Sequence, residues 1–329
     1  MAACRLVPIV GCMIKDISIS VTLGIASALF LSLSLMGTQG NAVSANAFQA
    51  LSLMTLSIIP LFIAGLGWGL TGGIISVATG SLVAAVVIAP LFSLSYVLTC
   101  GLPVLAITRQ ALLWRKENEK VSWYPVSNLM GVWILVSIAL SAMAVGLLYL
   151  DEELRKALIT QFDQIIPQYQ KMGGMFATVT AERIVWLLPQ FFGPFWGVVL
   201  LLGGSLAQGV LVRFNKNIRP SPKLSGLKMP KWVAILTIGV FAYSITFSWA
   251  ESIMGAVILT LEIVFFLQGM AVIHTISRGW QYRPLALTAV YLILILIFWL
   301  VMAVALLGLV DSWVGFRERF PPSPNQEED

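Results

Sequence analysis

Between residues 17 and 309 the sequence returns about nine times to a run of roughly twenty residues almost free of charge. In hydrocarbon a chain has no water to satisfy its N–H and C=O groups, so such a run must bond internally, as a helix does. About 20 helical residues cross an apolar core of roughly 30 Å. The runs lie at 17–36, 48–66, 70–89, 91–108, 128–150, 184–211, 232–249, 252–276 and 286–309. The expected fold is therefore all-α, a polytopic integral membrane helical bundle. Only 11% of the 329 residues are charged, against roughly 25% in a typical soluble domain. So few charges could not cover a water-soluble surface.

Two cuts in this map are soft. Gly65-Leu66-Gly67-Trp68-Gly69 separates the second run from the third, and Ala89-Pro90 separates the third from the fourth. Each is read as a turn; a kink at either would lower the count to seven or eight. Charge placement supports nine crossings with the N-terminus inside. Of the 20 basic residues, 14 then fall in inside segments, notably 109–120 and the loop 212–231, and 6 fall outside. Positively charged loops stay on the cytoplasmic side. This arrangement puts residues 311–329 outside. Trp68, Trp123, Trp186, Trp232, Trp249, Trp280 and Trp313 fall near run ends, where an amphipathic ring is best accommodated.

The remaining segments divide the chain into a leader (1–16), a transmembrane domain (17–310) and a tail (311–329). Ile9-Val10-Gly11-Cys12 has the form of a lipoprotein cleavage box. However, the apolar stretch before Cys12 is shorter than the ~7–15 residues of a signal peptide's core, so a cytosolic leader is expected. Within 151–183, apolar side chains at Leu154, Leu158, Phe162, Ile165 and Tyr169 mark an amphipathic helix on the outer surface. The Pro-rich acidic tail is expected to be disordered.

Chemistry is sparse. A single His and three scattered cysteines (Cys4, Cys12, Cys100) offer neither metal spacing nor a disulfide framework. No phosphate-cradling motif is present, and Gly203-Gly204-Ser205-Leu206-Ala207 lacks the last glycine of a nucleophile elbow. No enzyme activity and no cofactor is expected. The positive charge is explained by loop orientation, so no nucleic acid partner is expected either.

The run 252–276 is the exception, because it carries Glu262, Gln268 and His274. An acid in mid-membrane costs about 2–3 kcal/mol even on permissive scales, and usually faces the bundle interior. Glu251, Gly255, Glu262 and Gly269 fall on one line of the helix, within about 20°. The glycines would let a neighbouring backbone approach, and Ile263 and Val264 lie off that seam. Glu262, Gln268 and His274 point about 120° apart, so they do not form one compact cluster. All three are candidate substrate-binding residues. Each also has a structural reading: an interhelical hydrogen bond for Glu262 and Gln268, and an interfacial bond to a carbonyl or headgroup for His274. Pro189 and Pro194 flank Gln190 and predict a kinked or partly unwound helix start. Gly65, Gly69 and Gly73, and Gly193 with Gly197, are spaced for helix packing.

Phe265-Phe266-Leu267-Gln268-Gly269-Met270-Ala271-Val272-Ile273-His274 resembles the signature of the bacterial YybS-like membrane proteins. Similar stretches are Pro60–Gly69, Gly101-Leu102-Pro103 with Trp123-Tyr124-Pro125, and Ile218-Arg219-Pro220-Ser221-Pro222. The resemblance covers roughly residues 17–315. It implies a multi-pass protein of the bacterial inner membrane, distantly grouped with the substrate-binding S subunits of energy-coupling-factor transporters. It further implies an energising ATPase module or another membrane subunit as partner, besides membrane lipids. The chain departs from S subunits in its helix number and in the segment 151–183. The alternative is a non-transporting scaffold that docks a partner through its basic loops.

Overall fold

A computed structural model describes residues 6–36, 43–117, 120–171, 178–222, 227–246 and 252–319. The helices are α1 (Leu6–Met36), α2 (Val43–Val87), α3 (Pro90–Tyr96) and α4 (Leu102–Ala111), the last two joined by a π turn over Val97–Gly101. A hairpin of β1 (Trp114–Glu117) and β2 (Lys120–Trp123) follows. Then come α5 (Val126–Leu150), α6 (Glu152–Gln170), α7 (Ala181–Arg213), α8 (Lys231–Thr246) and α9 (Ser252–Ile276). The chain continues with α10 (Arg283–Leu296), α11 (Leu300–Val314) and α12 (Phe316–Arg319).

Among the described residues six helical stretches are long and apolar enough to cross a bilayer. They are Asp16–Ser34, Ser52–Val87, Pro90–Ala111, Val126–Leu150, Ala181–Arg213 and Ile253–Ile276, with shorter apolar helices at Lys231–Ser244, Arg283–Leu296 and Leu300–Val314. The helical membrane class is as expected, and the six differ from the nine expected runs at two places. First, Ser52–Val87, one continuous stretch, is not a straight rod. Gly69 has φ 78° and ψ −178°, a conformation that is essentially glycine's alone. A Cβ on Gly73 would lie 3.3 Å from the Gly65 Cα, whereas eight residues of straight helix span about 12 Å. The chain therefore folds back at Gly69, and Gly65 and Gly73 face each other across the reversal. Second, the run 286–309 breaks. Ile297 leaves helical geometry (φ −124°, ψ 83°), and α10 and α11 are separate elements.

Compact packing divides the chain into two units, residues 1–133 with 196–222, and residues 134–195 with 223–329. In the first, α1 lies against the returning half of α2, with Gly24 closed upon by Ser76 and Thr79. Ser27 and Tyr96 share a buried hydrogen bond of 2.7 Å. Gly65 meets Thr108, Gly203 meets Ile58 and Gly204 meets the Phe62 ring, so these small residues serve packing. The π turn leaves the Thr99 carbonyl free to accept from the Trp196 indole at 2.6 Å.

In the second unit α9 is the central helix, and α11 runs antiparallel to it. Gly308 closes on the Phe265 carbonyl and Gly269 on the Val304 carbonyl. Gly255 lies against the Gln190 side chain. The glycine seam on α9 is thus packed, but the packed surface is wider than expected: Val264, placed off the seam by the sequence, is fully buried. α7 runs as one helix through Pro189 and Pro194 rather than unwinding. Ser141 Oγ accepts from the Gly193 N–H at 3.1 Å, so a neighbouring side chain takes up a group the prolines loosen.

At the edges, residues 6–16, expected as a leader, form the helical start of α1 ahead of the apolar stretch Asp16–Ser34. Along α6, Ile166 is buried, while Leu154, Ile165 and Tyr169 are exposed. That helix starts at Asp151, whose carboxylate accepts from Leu154 N at 2.9 Å. Residues 311–319, assigned to the tail, complete α11 and form α12; the rest of that tail lies outside the described residues.

Candidate functional site

α9 brings its three polar residues to three different surroundings, as their angular spacing requires. Gln268 is fully buried. Its Oε1 accepts from the Met229 N–H at 2.9 Å. Its Nε2 donates to Asp311 Oδ2 and Ser312 Oγ, both at 3.2 Å. Asp311, 1% exposed, is held in turn by Arg317, whose Nη2 and Nε donate to the same oxygen at 2.7 and 3.1 Å. Arg317 Nη1 donates to the Leu227 carbonyl at 2.6 Å. A loop, the middle of α9 and the end of α11 are thus joined by one buried network, in which Asp311 Oδ1 has no hydrogen-bond partner among the described residues.

This network corrects the expected topology. The charge rule put the loop 212–231 inside and residues 311–329 outside, yet Arg317 touches Leu227. The two segments meet at the level of Gln268, a contact that placement on opposite faces does not provide for. The sequence reading missed Asp311 and Arg317 because they follow the last apolar run and look like the start of a polar tail.

His274 Nε2 pairs with the Tyr291 hydroxyl at 2.8 Å, rather than with a backbone carbonyl. Glu262 is half-buried and makes no hydrogen bond or ion pair with any described residue. One face of α9 therefore carries a carboxyl with no partner among the described residues. Two turns away along the same line, at Gly255, sits the buried Gln190 side chain, whose Oε1 is also unpartnered. Among the described residues no group of three or more His, Cys, Asp or Glu side chains is placed to hold a metal ion. The open groove lined by Trp280, Tyr282, Leu285 and Ala289 is apolar and excludes Glu262.

In the first unit Arg219 is 8% exposed. Its Nη1 donates to the Ala111 carbonyl and its Nη2 to the Tyr124 carbonyl, each at 2.9 Å. Gln208 and Asn217 hold the Arg219 carbonyl at 2.8 and 3.1 Å. Burial pulls the guanidinium below its ordinary value, which is high enough that it stays charged. Two stretches separated in sequence, Trp123-Tyr124-Pro125 and Ile218–Pro222, are brought together here.

The profile of a family described as "Predicted membrane protein (DUF2232)" matches residues 48–312. The chain belongs to this family. No curated protein and no solved structure matches it. The DUF2232 match runs from the second apolar helix to the end of α11, so it includes Glu262, Gln268, His274 and Asp311 and stops short of Arg317. The family is one of membrane proteins without an assigned activity, so the chemistry of a DUF2232 chain rests on these side chains.

Proposed function

We propose that this DUF2232 chain is a membrane-embedded subunit that binds a small solute carrying a cationic or hydrogen-bond-donating group, as an S component of a transporter does. The observation that carries this reading is Glu262, an acid in the middle of an apolar helix with no partner among the described residues. A carboxyl in that position costs free energy that something must offset. A ligand cation, an amine or a titrating proton would do so. Gln190 Oε1 on the same seam offers a second acceptor. Gln268 and His274 are engaged by Asp311 and Tyr291, so their part is to position α9 around the site. The reading places the protein in a bacterial inner membrane with its N-terminus cytosolic, and assigns the energy source to an ATPase module or another membrane subunit.

The test compares full-length wild type with Glu262→Gln, which keeps the size and hydrogen-bonding capacity but loses the charge. Native mass spectrometry of protein released from membranes should show a small basic solute on the wild type that Glu262→Gln lacks at equal abundance. Wild type without any such solute, in a strain whose uptake Glu262→Gln and Glu262→Leu leave unchanged, would sink the proposal. The scaffold reading through the basic loops would then lead.

A further inference from the structure

The β1–β2 hairpin is an unusual element for a protein of this kind, because it stands directly between two spans. Only Leu112 and Leu113 separate it from α4, and only Tyr124 and Pro125 from α5. With strands of four residues, roughly 13 Å long, it cannot reach beyond the headgroup zone of the membrane its flanking helices cross.

Its register sorts the side chains. Trp114 pairs with Trp123 and Lys116 with Val121, so these four share one face, and Arg115 and Ser122 share the other. Trp114 is 60% exposed and Val121 53% exposed. Lys116 is exposed on the same face, and Arg115 is exposed on the other. The hairpin is held rather than trailing. Tyr124 N donates to the Leu113 carbonyl at 2.9 Å, and the buried Arg219 clamps the carbonyls of Ala111 and Tyr124, one on each side of the hairpin. A two-stranded hairpin alone is marginal in water, so the clamp is what presents this face in one orientation.

We infer that the face carrying Trp114, Lys116 and Val121 is a docking surface for the anionic lipid headgroups of the surrounding bilayer. The indole occupies the interface, where Trp is most stable, and the cation meets the phosphates. The Lys116 ammonium complements an anionic surface, and the exposed Trp114 and Val121 beside it on the same face fit the acyl boundary rather than open water. Arg219 acts as the positioning residue and does not itself touch lipid.

The experiment uses the full-length protein with Cys4, Cys12 and Cys100 replaced, carrying V121C labelled with an environment-sensitive dye. The dye is compared in bilayers of phosphatidylcholine alone and in bilayers with a third of the lipid as phosphatidylglycerol. Docking predicts blue-shifted emission and protection from acrylamide, a neutral quencher, in the anionic bilayer. K116Q should lower the docked fraction's equilibrium constant about fivefold and return the signal towards that in phosphatidylcholine, more than R115Q on the opposite face does. A dye equally open to acrylamide in both bilayers would overturn the inference. So would a dye equally shielded in both and indifferent to K116Q, since protein rather than anionic lipid would then cover the face.

Discussion

Replacing Arg317 by Leu removes both hydrogen bonds it makes to Asp311 Oδ2 and the one it makes to the Leu227 carbonyl. The carboxylate stays behind, 1% exposed, with Gln268 Nε2 as the remaining donor on Oδ2 and no described residue on Oδ1. Stranding one partner of a buried ion pair typically costs about 3–5 kcal/mol. Arg317 itself keeps 11% exposure, which lets water reach the pair, so the lower end, about 3 kcal/mol, applies. At about 1.36 kcal/mol per decade this is a shift of more than a hundredfold in the unfolding equilibrium. The assay is equilibrium unfolding of the purified protein in mixed micelles with increasing dodecyl sulfate. Asp311→Leu combined with Arg317→Leu should recover most of the loss, because two apolar side chains strand no charge. A cost below about 1 kcal/mol for Arg317→Leu, with the double variant equal to the sum of the singles, would refute the buried network.

The α9–α11 seam gives a second prediction. Gly269→Leu and Gly308→Leu push a branched side chain into a facing carbonyl and should prevent stable folding, whereas Ile263→Ala, half-buried, should cost at most about 2 kcal/mol, read in the same micelle titration. A third concerns sidedness. Cysteines replacing Lys228 and Arg319, both exposed, should react alike with an impermeant thiol reagent in intact cells, either both labelled or both protected. Labelling of one alone would contradict the Arg317–Leu227 contact.

The spans were legible in the sequence because the bilayer leaves the backbone little choice, so run length and composition suffice to mark Val126–Leu150 or Ile253–Ile276. The reversal at Gly69 was legible too, since only a glycine suits its backbone. The break at Ile297-Phe298-Trp299 was not: its residues are as apolar as their neighbours, and no Gly or Pro marks it. The charge rule failed for residues 311–319 for a related reason. It counts charges and assumes each apolar run crosses once, so a break inside a run changes the side assigned to everything after it. Asp311 and Arg317 become part of the interior only through Gln268 and Leu227, 43 and 90 residues away, a pairing that no local pattern encodes. Arg219 was hidden differently. Amid other basic residues it looked like one more inside charge, whereas it is buried and holds the hairpin ends. At Glu262 the sequence identified the residue and its face, and the structure adds that no described side chain answers it.

That unanswered carboxyl is the central claim, and its reactivity tests it most directly. A membrane-permeant hydrophobic carbodiimide modifies carboxyl groups within apolar surroundings, and peptide mass spectrometry after brief treatment of native membranes reads each site in one molecule. The expected result is rapid modification of Glu262 and none of Asp311, whose oxygen is held by Arg317 and Gln268. An inert Glu262 beside a readily modified Asp311 would contradict the account, because the partnered acid and the free one would have changed places.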